Sequence, residues 1–262
     1  MNEPVPPRPE PVPPRPDVLH PLPAEPSGEE RPRATWRWYE ALAVYVLGLF
    51  VGGFVALPVF RSIASEDLAN VLSSMLVSVV ILGVLLGWLT RFHPTWRRVI
   101  RLPARWWPEL RVGVGFGLLL YPAIVFVVGV ALTALLRSIS GHAVTTPEQV
   151  GTKLSWVGIG ITMSYALVIA PVGEELFFRG IFFRSIADRH GFAGGAVASG
   201  VAFGLVHYVP APWQDSVLLM ATMVVTGVGL AWLYDRRGNL LANMAAHATF
   251  NAIGLALIFL VR

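Results

Sequence analysis

The chain has 262 residues, 14% of them charged, a net charge of +4 and a mean hydropathy of +0.61. A soluble domain carries about 25% charged residues, and apolar runs of about 20 residues, the length that crosses a bilayer as a helix, recur here, so a soluble enzyme with a membrane tail is excluded. A nucleic-acid binder is excluded as well despite a pI near 9.8, because the arginines flank apolar runs and do not gather on one basic face. The absence of cysteine removes disulfides, thiolate nucleophiles and cysteine-based zinc or iron–sulfur sites.

Residues 1–33 hold 12 of the 21 prolines and a seven-residue repeat, Glu3-Pro-Val-Pro-Pro-Arg-Pro9 followed by Glu10-Pro-Val-Pro-Pro-Arg-Pro16. Proline fixes φ and removes the amide donor, so this stretch is expected to be a disordered cytosolic tail sampling polyproline II. Its repeat is a candidate docking site for a proline-recognising partner. It does not read as a cleavable signal peptide, because no short apolar core with a small-residue cleavage site follows a basic start.

Residues 34–262 are expected to form a transmembrane helical domain. Seven apolar segments follow one another at about 39–60, 69–90, 112–136, 155–178, 194–209, 216–234 and 240–261. With the N-terminus in the cytosol, 16 of the 20 Lys and Arg residues fall on cytosolic pieces, and only Arg61, Arg137, Lys153 and Arg262 lie outside. That asymmetry predicts a cytosolic N-terminus, an external C-terminus and an odd number of spans. The expected fold class is all-α, a polytopic bundle of about seven transmembrane helices in contact with membrane lipid. The 91–111 loop, with six arginines and Trp96, Trp106 and Trp107, reads as an interfacial anchor on anionic lipid. Usage rich in Ala, Gly, Arg and Trp fits a high-GC bacterium, and hence a multi-pass protein of its inner cell membrane.

The informative residues are polar groups inside apolar segments, where an ionised side chain costs about 2.5–3.5 kcal/mol on insertion scales. Three clusters stand out: Pro171-Val-Gly-Glu174-Glu175-Leu-Phe-Phe-Arg179-Gly180, Phe203-Gly-Leu-Val-His207, and Asn243-Met-Ala-Ala-His247-Ala-Thr-Phe-Asn251. Glu175 and Arg179 are four residues apart and pair on one helix face, whereas Glu174 points about 100° away. Asn243, His247 and Asn251 form one stripe that must face a protein cavity. A turn centred near His190-Gly191 makes the fourth and fifth segments antiparallel and brings Glu174 and His207 to one level. His247 reaches that level only if the hairpin protrudes about 10 Å past the last helix turn.

Glu-Glu-x-x-x-Arg at 174–179, Phe-x-x-x-His at 203–207 and His-x-x-x-Asn at 247–251, in this order on membrane helices, resemble the CPBP family of intramembrane glutamic endopeptidases, which includes the type II CAAX prenyl endopeptidases. The run from Gly229 to Leu240 is similar too, and the resemblance covers about 155–255, the expected catalytic core. Asn243 departs from the proline common at that place. The resemblance implies that Glu174 is the catalytic glutamate, that His207 shares the hydrolytic water with it, and that His247 and Asn251 stabilise the oxyanion. Glu175, Arg179 and Asn243 would support them. Independent chemistry agrees, since hydrolysis needs a base for water and donors aimed at the developing oxyanion.

The expectation is therefore peptide-bond hydrolysis by Glu-activated water near the cytosolic face, without a cofactor, on a peptide or protein substrate, lipidated or not. Two alternatives stay open. Glu174, His207 and His247 could be three zinc ligands with an open fourth position, although no His-Glu-x-x-His helix is present. Alternatively, the chain is a non-catalytic scaffold, immunity or transport-related protein with its polar groups in a structural or proton-relay role.

Overall fold

The computed structural model describes residues 32–147, 149–151 and 154–260. The expectations for the proline-rich tail therefore lie outside the described residues, apart from its last two positions. Every regular element among the described residues is helical: α1 (Trp38–Ser62), α2 (Glu66–Phe92), the short α3 (Trp96–Val99), α4 (Trp106–Ser140), α5 (Trp156–Val206), α6 (Trp213–Arg237) and α7 (Leu240–Leu260). All but α3 are long and apolar enough to cross a membrane, so the chain is a multi-pass membrane protein.

Two of the apolar segments share α5. Gly191 adopts φ 79° and ψ 170°, a combination that a Cβ forbids, and the helix folds back on itself there. Ser199 Oγ donates to the Phe178 carbonyl at 2.9 Å, and the rings of Phe178 and Phe203 meet edge to face at 5.1 Å. The fourth and fifth apolar segments are thus the antiparallel arms of one hairpin, with its turn at the expected residue. Gly180 packs against Leu240, and ten further residues carry the first arm to His190. The hairpin therefore reaches about 15 Å past the start of α7.

Residues preceding α1 fasten that tip. The Ala34 N–H donates to Asp188 Oδ2 at 2.7 Å, while Arg184 and Arg189 donate to the carbonyls of Pro32 and Ala34 at 3.2 Å. Trp36 is fully buried, its indole N–H donating to the Ile181 carbonyl at 3.0 Å and its ring packed edge-on against Trp88 and His93. Across the bundle, Arg237 at the end of α6 grips the Glu109 carboxylate of α4 through two nitrogens, a fork geometry that only arginine offers.

Small residues set the helix spacings, as expected where lipid gives helices no hydrophobic reason to associate. Gly48 and Gly52 of α1 lie against Ile81 and Val77 of α2. Gly113 and Gly117 of α4 seat on the carbonyls of Ala242 and Ala246, and one turn further Tyr121 meets Phe250 at 5.0 Å. The two helices therefore run parallel along a seam that fixes α7, the carrier of His247. Gly117→Leu is expected to cost about 1–3 kcal/mol by overpacking and to displace His247. Gly115→Leu should leave thermal unfolding in detergent nearly unchanged, because nothing lies within 4 Å of a Cβ there. Equal unfolding temperatures for the two variants would refute the seam.

Candidate active site

The site begins with a proline. Pro171 has no N–H and its ring crowds the preceding turn, and the helix ahead of it widens into a π segment over Tyr165–Ile169. The Ala170 N–H there reaches back to the Tyr165 carbonyl, so the next carbonyl, Ala166, would need the amide hydrogen that residue 171 lacks. Asn251 of α7 supplies it, Nδ2 donating to the Ala166 carbonyl at 2.8 Å. One hydrogen of the Asn251 amide is therefore committed to the backbone, and the second remains for other use. Asn251→Ala is expected to cost about 1 kcal/mol, and less in a Pro171→Ala background that restores the amide hydrogen. Thermal unfolding of the four proteins of this cycle checks it, and strictly additive losses would rule the arrangement out.

Glu174 and Glu175 part company as helix geometry requires. The Glu175 side chain has no exposure, whereas that of Glu174 is 25% exposed. Glu175 is the hub of the buried network. Its Oε1 accepts from Arg179 Nη1 at 2.7 Å and faces His247 Nδ1 at 2.8 Å, and its Oε2 accepts from Asn243 Nδ2 at 3.3 Å. Arg179, equally buried, donates also to the Gly227 carbonyl at 3.2 Å and lies over the Phe203 ring at 4.5 Å. Asn243 donates as well to the Leu230 carbonyl at 2.7 Å. It closes the network rather than facing open space.

This arrangement orients His247. With Nδ1 turned to Glu175, Nε2 points at Glu174 Oε2, 3.8 Å away, too far for a direct hydrogen bond. Glu174 Oε2 itself has no hydrogen-bond partner among the described residues. His207 ends the second arm of α5, its Nδ1 held 2.6 Å from the Phe203 carbonyl. A carbonyl accepts only, so Nδ1 carries a proton, and in the neutral ring Nε2 presents a lone pair. The Phe203 ring packs against both imidazoles, 4.5 Å from His207 and 5.7 Å from His247.

Glu174, His207, His247 and Asn251 all line one cavity of about 1990 Å³, while Glu175, Arg179 and Asn243 stand behind its wall. The structure thus brings together all seven residues singled out from the sequence. It adds Tyr45 of α1 and Tyr165 of α5, which also line the cavity, Tyr165 lying 3.3 Å from Ser78 Oγ. Neither was legible in the sequence, where a tyrosine in an apolar helix reads as core. No group of three His, Asp or Glu side chains is arranged to hold a metal ion among the described residues.

Residues 156–253 match the family described as type II CAAX prenyl endopeptidase Rce1-like. The UPF0177 protein YxdF of Lactococcus lactis is 30% identical over 87 residues, which make up 33% of this chain and 44% of that relative, so the match spans less than half of the relative's length. No solved structure matches the chain significantly. The matched segment holds Pro171, Glu174, Glu175, Arg179, His207, Asn243, His247 and Asn251, so the similarity to that family spans the whole candidate site.

Proposed function

We propose that the chain is an intramembrane endopeptidase in which Glu174 activates water. The observation that supports it is the division of labour between adjacent glutamates. Glu175 is saturated by Arg179, His247 and Asn243, and Glu174 faces the cavity beside a histidine whose orientation Glu175 fixes. Such a carboxylate can take a proton from water as the water oxygen bonds to a peptide carbonyl carbon. The lone pair on His207 Nε2 accepts the other hydrogen of that water. The second amide hydrogen of Asn251 faces the oxygen that becomes negative, and His247 Nε2 can donate to it as well when the ring carries a proton on both nitrogens. The proton held by Glu174 then passes to the departing amine as the C–N bond breaks. His247 is seven residues into α7, about 10 Å from the end of the helix that the basic residues assign to the cytosol.

Wild type, Glu174→Gln and His247→Ala, purified in detergent, would be assayed on a mixed peptide library with and without a strong chelator. Glu174→Gln keeps the shape and removes the base, so cleavage is expected to fall by about 10²–10⁴-fold with thermal unfolding unchanged and no response to chelator. Cleavage that survives in Glu174→Gln and dies with chelator would replace the glutamate by a metal-bound water. If no form cleaves and Glu174→Gln complements a deletion strain fully, the chain acts as a scaffold.

A further inference from the structure

The cavity is a shaft rather than a bowl. On α4 its lining runs from Tyr121 to Ser138, 17 positions, or about 25 Å at 1.5 Å per residue. On α2 the lining includes Asp67, Asn70, Ser74 and Ser78 at helical spacing, a polar stripe leading from the start of the helix toward Tyr165 and Glu174. From Asn70 inward, exposure falls. Asn70 and Ser74 are exposed, Ser78 and Tyr165 are half-buried, and Glu175 behind the site is sealed. Beyond the site toward the tail-proximal end lie Phe177, Phe178, Ile181, Phe203 and Leu240, none more than 2% exposed. The shaft is thus floored by packed aromatic core on that side and open on the other.

The open end carries polar groups. Asp67, Arg137 and Gln149 line it, and the loop joining α4 to α5 is pinned above it, since the Thr145 N–H and hydroxyl both donate to the buried Asp215 carboxylate at 2.9 and 3.3 Å. This is the end of the bundle that bears the few basic residues, Arg61 and Arg137 among them, whereas Arg91, Arg97, Arg98, Arg236 and Arg237 crowd the other.

We propose that the substrate reaches Glu174 from the extracytosolic side, as an extended polypeptide lying along the Asn70–Ser74–Ser78 stripe. A shaft of about 25 Å holds seven or eight residues at 3.3 Å each. Serine and asparagine side chains spaced along it offer hydrogen bonds to peptide backbone without selecting side chains. The substrate class is then an exported or surface-exposed chain, rather than a tail presented in the cytosol. This rests on the reading that Glu174 hydrolyses peptide bonds, but the route can be tested without catalysis.

The chain contains no cysteine, so single cysteines report access directly. Asn70→Cys, Ser78→Cys and Arg97→Cys, each in wild-type and Glu174→Gln backgrounds, would be treated with a membrane-impermeant methanethiosulfonate in right-side-out and inverted membrane vesicles. Asn70→Cys and Ser78→Cys are expected to react only in right-side-out vesicles and Arg97→Cys only in inverted ones, in both backgrounds. Reaction of Ser78→Cys only in inverted vesicles overturns the route, as does reaction of Asn70→Cys without Ser78→Cys. In the wild-type background, blocking Ser78→Cys is expected to abolish cleavage of a peptide mixture added to right-side-out vesicles, and undiminished cleavage overturns the threading. Side-specific labelling with no cleavage in any vesicle counts against hydrolysis and not against the passage.

Discussion

Replacing Arg179 with methionine is expected to destabilise the protein by about 3–5 kcal/mol, the cost of leaving a buried carboxylate without its cation. Arg179 and Glu175 have no exposed side-chain surface, and their 2.7 Å ion pair lies beneath the Phe203 ring. Methionine keeps much of the stem's packing and removes the charge, so the loss measures the orphaned Glu175. Arg179→Lys should recover only part of it, because one ammonium cannot reach both Glu175 Oε1 and the Gly227 carbonyl as the two guanidinium nitrogens do. Arg179→Met combined with Glu175→Gln should be more stable than Arg179→Met alone, since the uncompensated charge is gone. Thermal unfolding in detergent reads all three, and an Arg179→Met loss below about 1 kcal/mol, the scale of a solvated pair, would mean that the hub is hydrated.

The largest kinetic effect away from the reacting atoms is expected at Glu175. Glu175→Gln takes the anion from behind His247 Nδ1, where the structure holds the two atoms 2.8 Å apart. Removing the carboxylate that orients an active-site histidine costs about 10⁴-fold in the serine-protease triad. A fall in kcat of about 10²–10⁴-fold, with KM little changed, is the expected result here. Glu175 touches neither water nor substrate in this scheme and is a positioning residue. The diagnostic is therefore coupling: His247→Ala added to Glu175→Gln should cost far less than His247→Ala alone, because the histidine is already misaligned. Full multiplicativity would show that Glu175 acts through stability alone. The pH profile of kcat should also change in Glu175→Gln, which loss of folded protein by itself does not produce.

Much of this site was legible because helix geometry is regular. The pairing of Glu175 with Arg179, the opposite facing of Glu174, the hairpin turn at Gly191 and the stripe of Asn243, His247 and Asn251 follow from 100° per residue and 1.5 Å per residue. What was not legible depends on departures from that regularity or on partners distant in the chain. The Asn251–Ala166 bond exists because Pro171 widens the helix by one position, and no spacing rule for an ideal helix contains it. Glu175 reads from sequence as Arg179's partner alone, since its contacts with His247 and Asn243 span 72 and 68 residues. The stripe on α2 escaped because serine costs little in an apolar helix and so raises no alarm, unlike a glutamate. Gly113 and Gly117 gave no indication that α4 would lie parallel to α7, although that seam places His247.

The sequence separation within the Glu175 hub also bears on how the chain is made. The first arm of α5 enters the bilayer during synthesis before α6 and α7 exist, and a lone carboxylate or guanidinium there would add about 2.5–3.5 kcal/mol to insertion. Arg179 is one helical turn from Glu175, so the arm carries its own counter-charge into the membrane and needs no later helix to make the pair tolerable. His247 and Asn243 then dock on a carboxylate already neutralised, and the ensemble is complete only when the final helix has left the ribosome. A nascent chain shorter than 247 residues carries the paired Glu175 and Arg179 but lacks the histidine that faces Glu174.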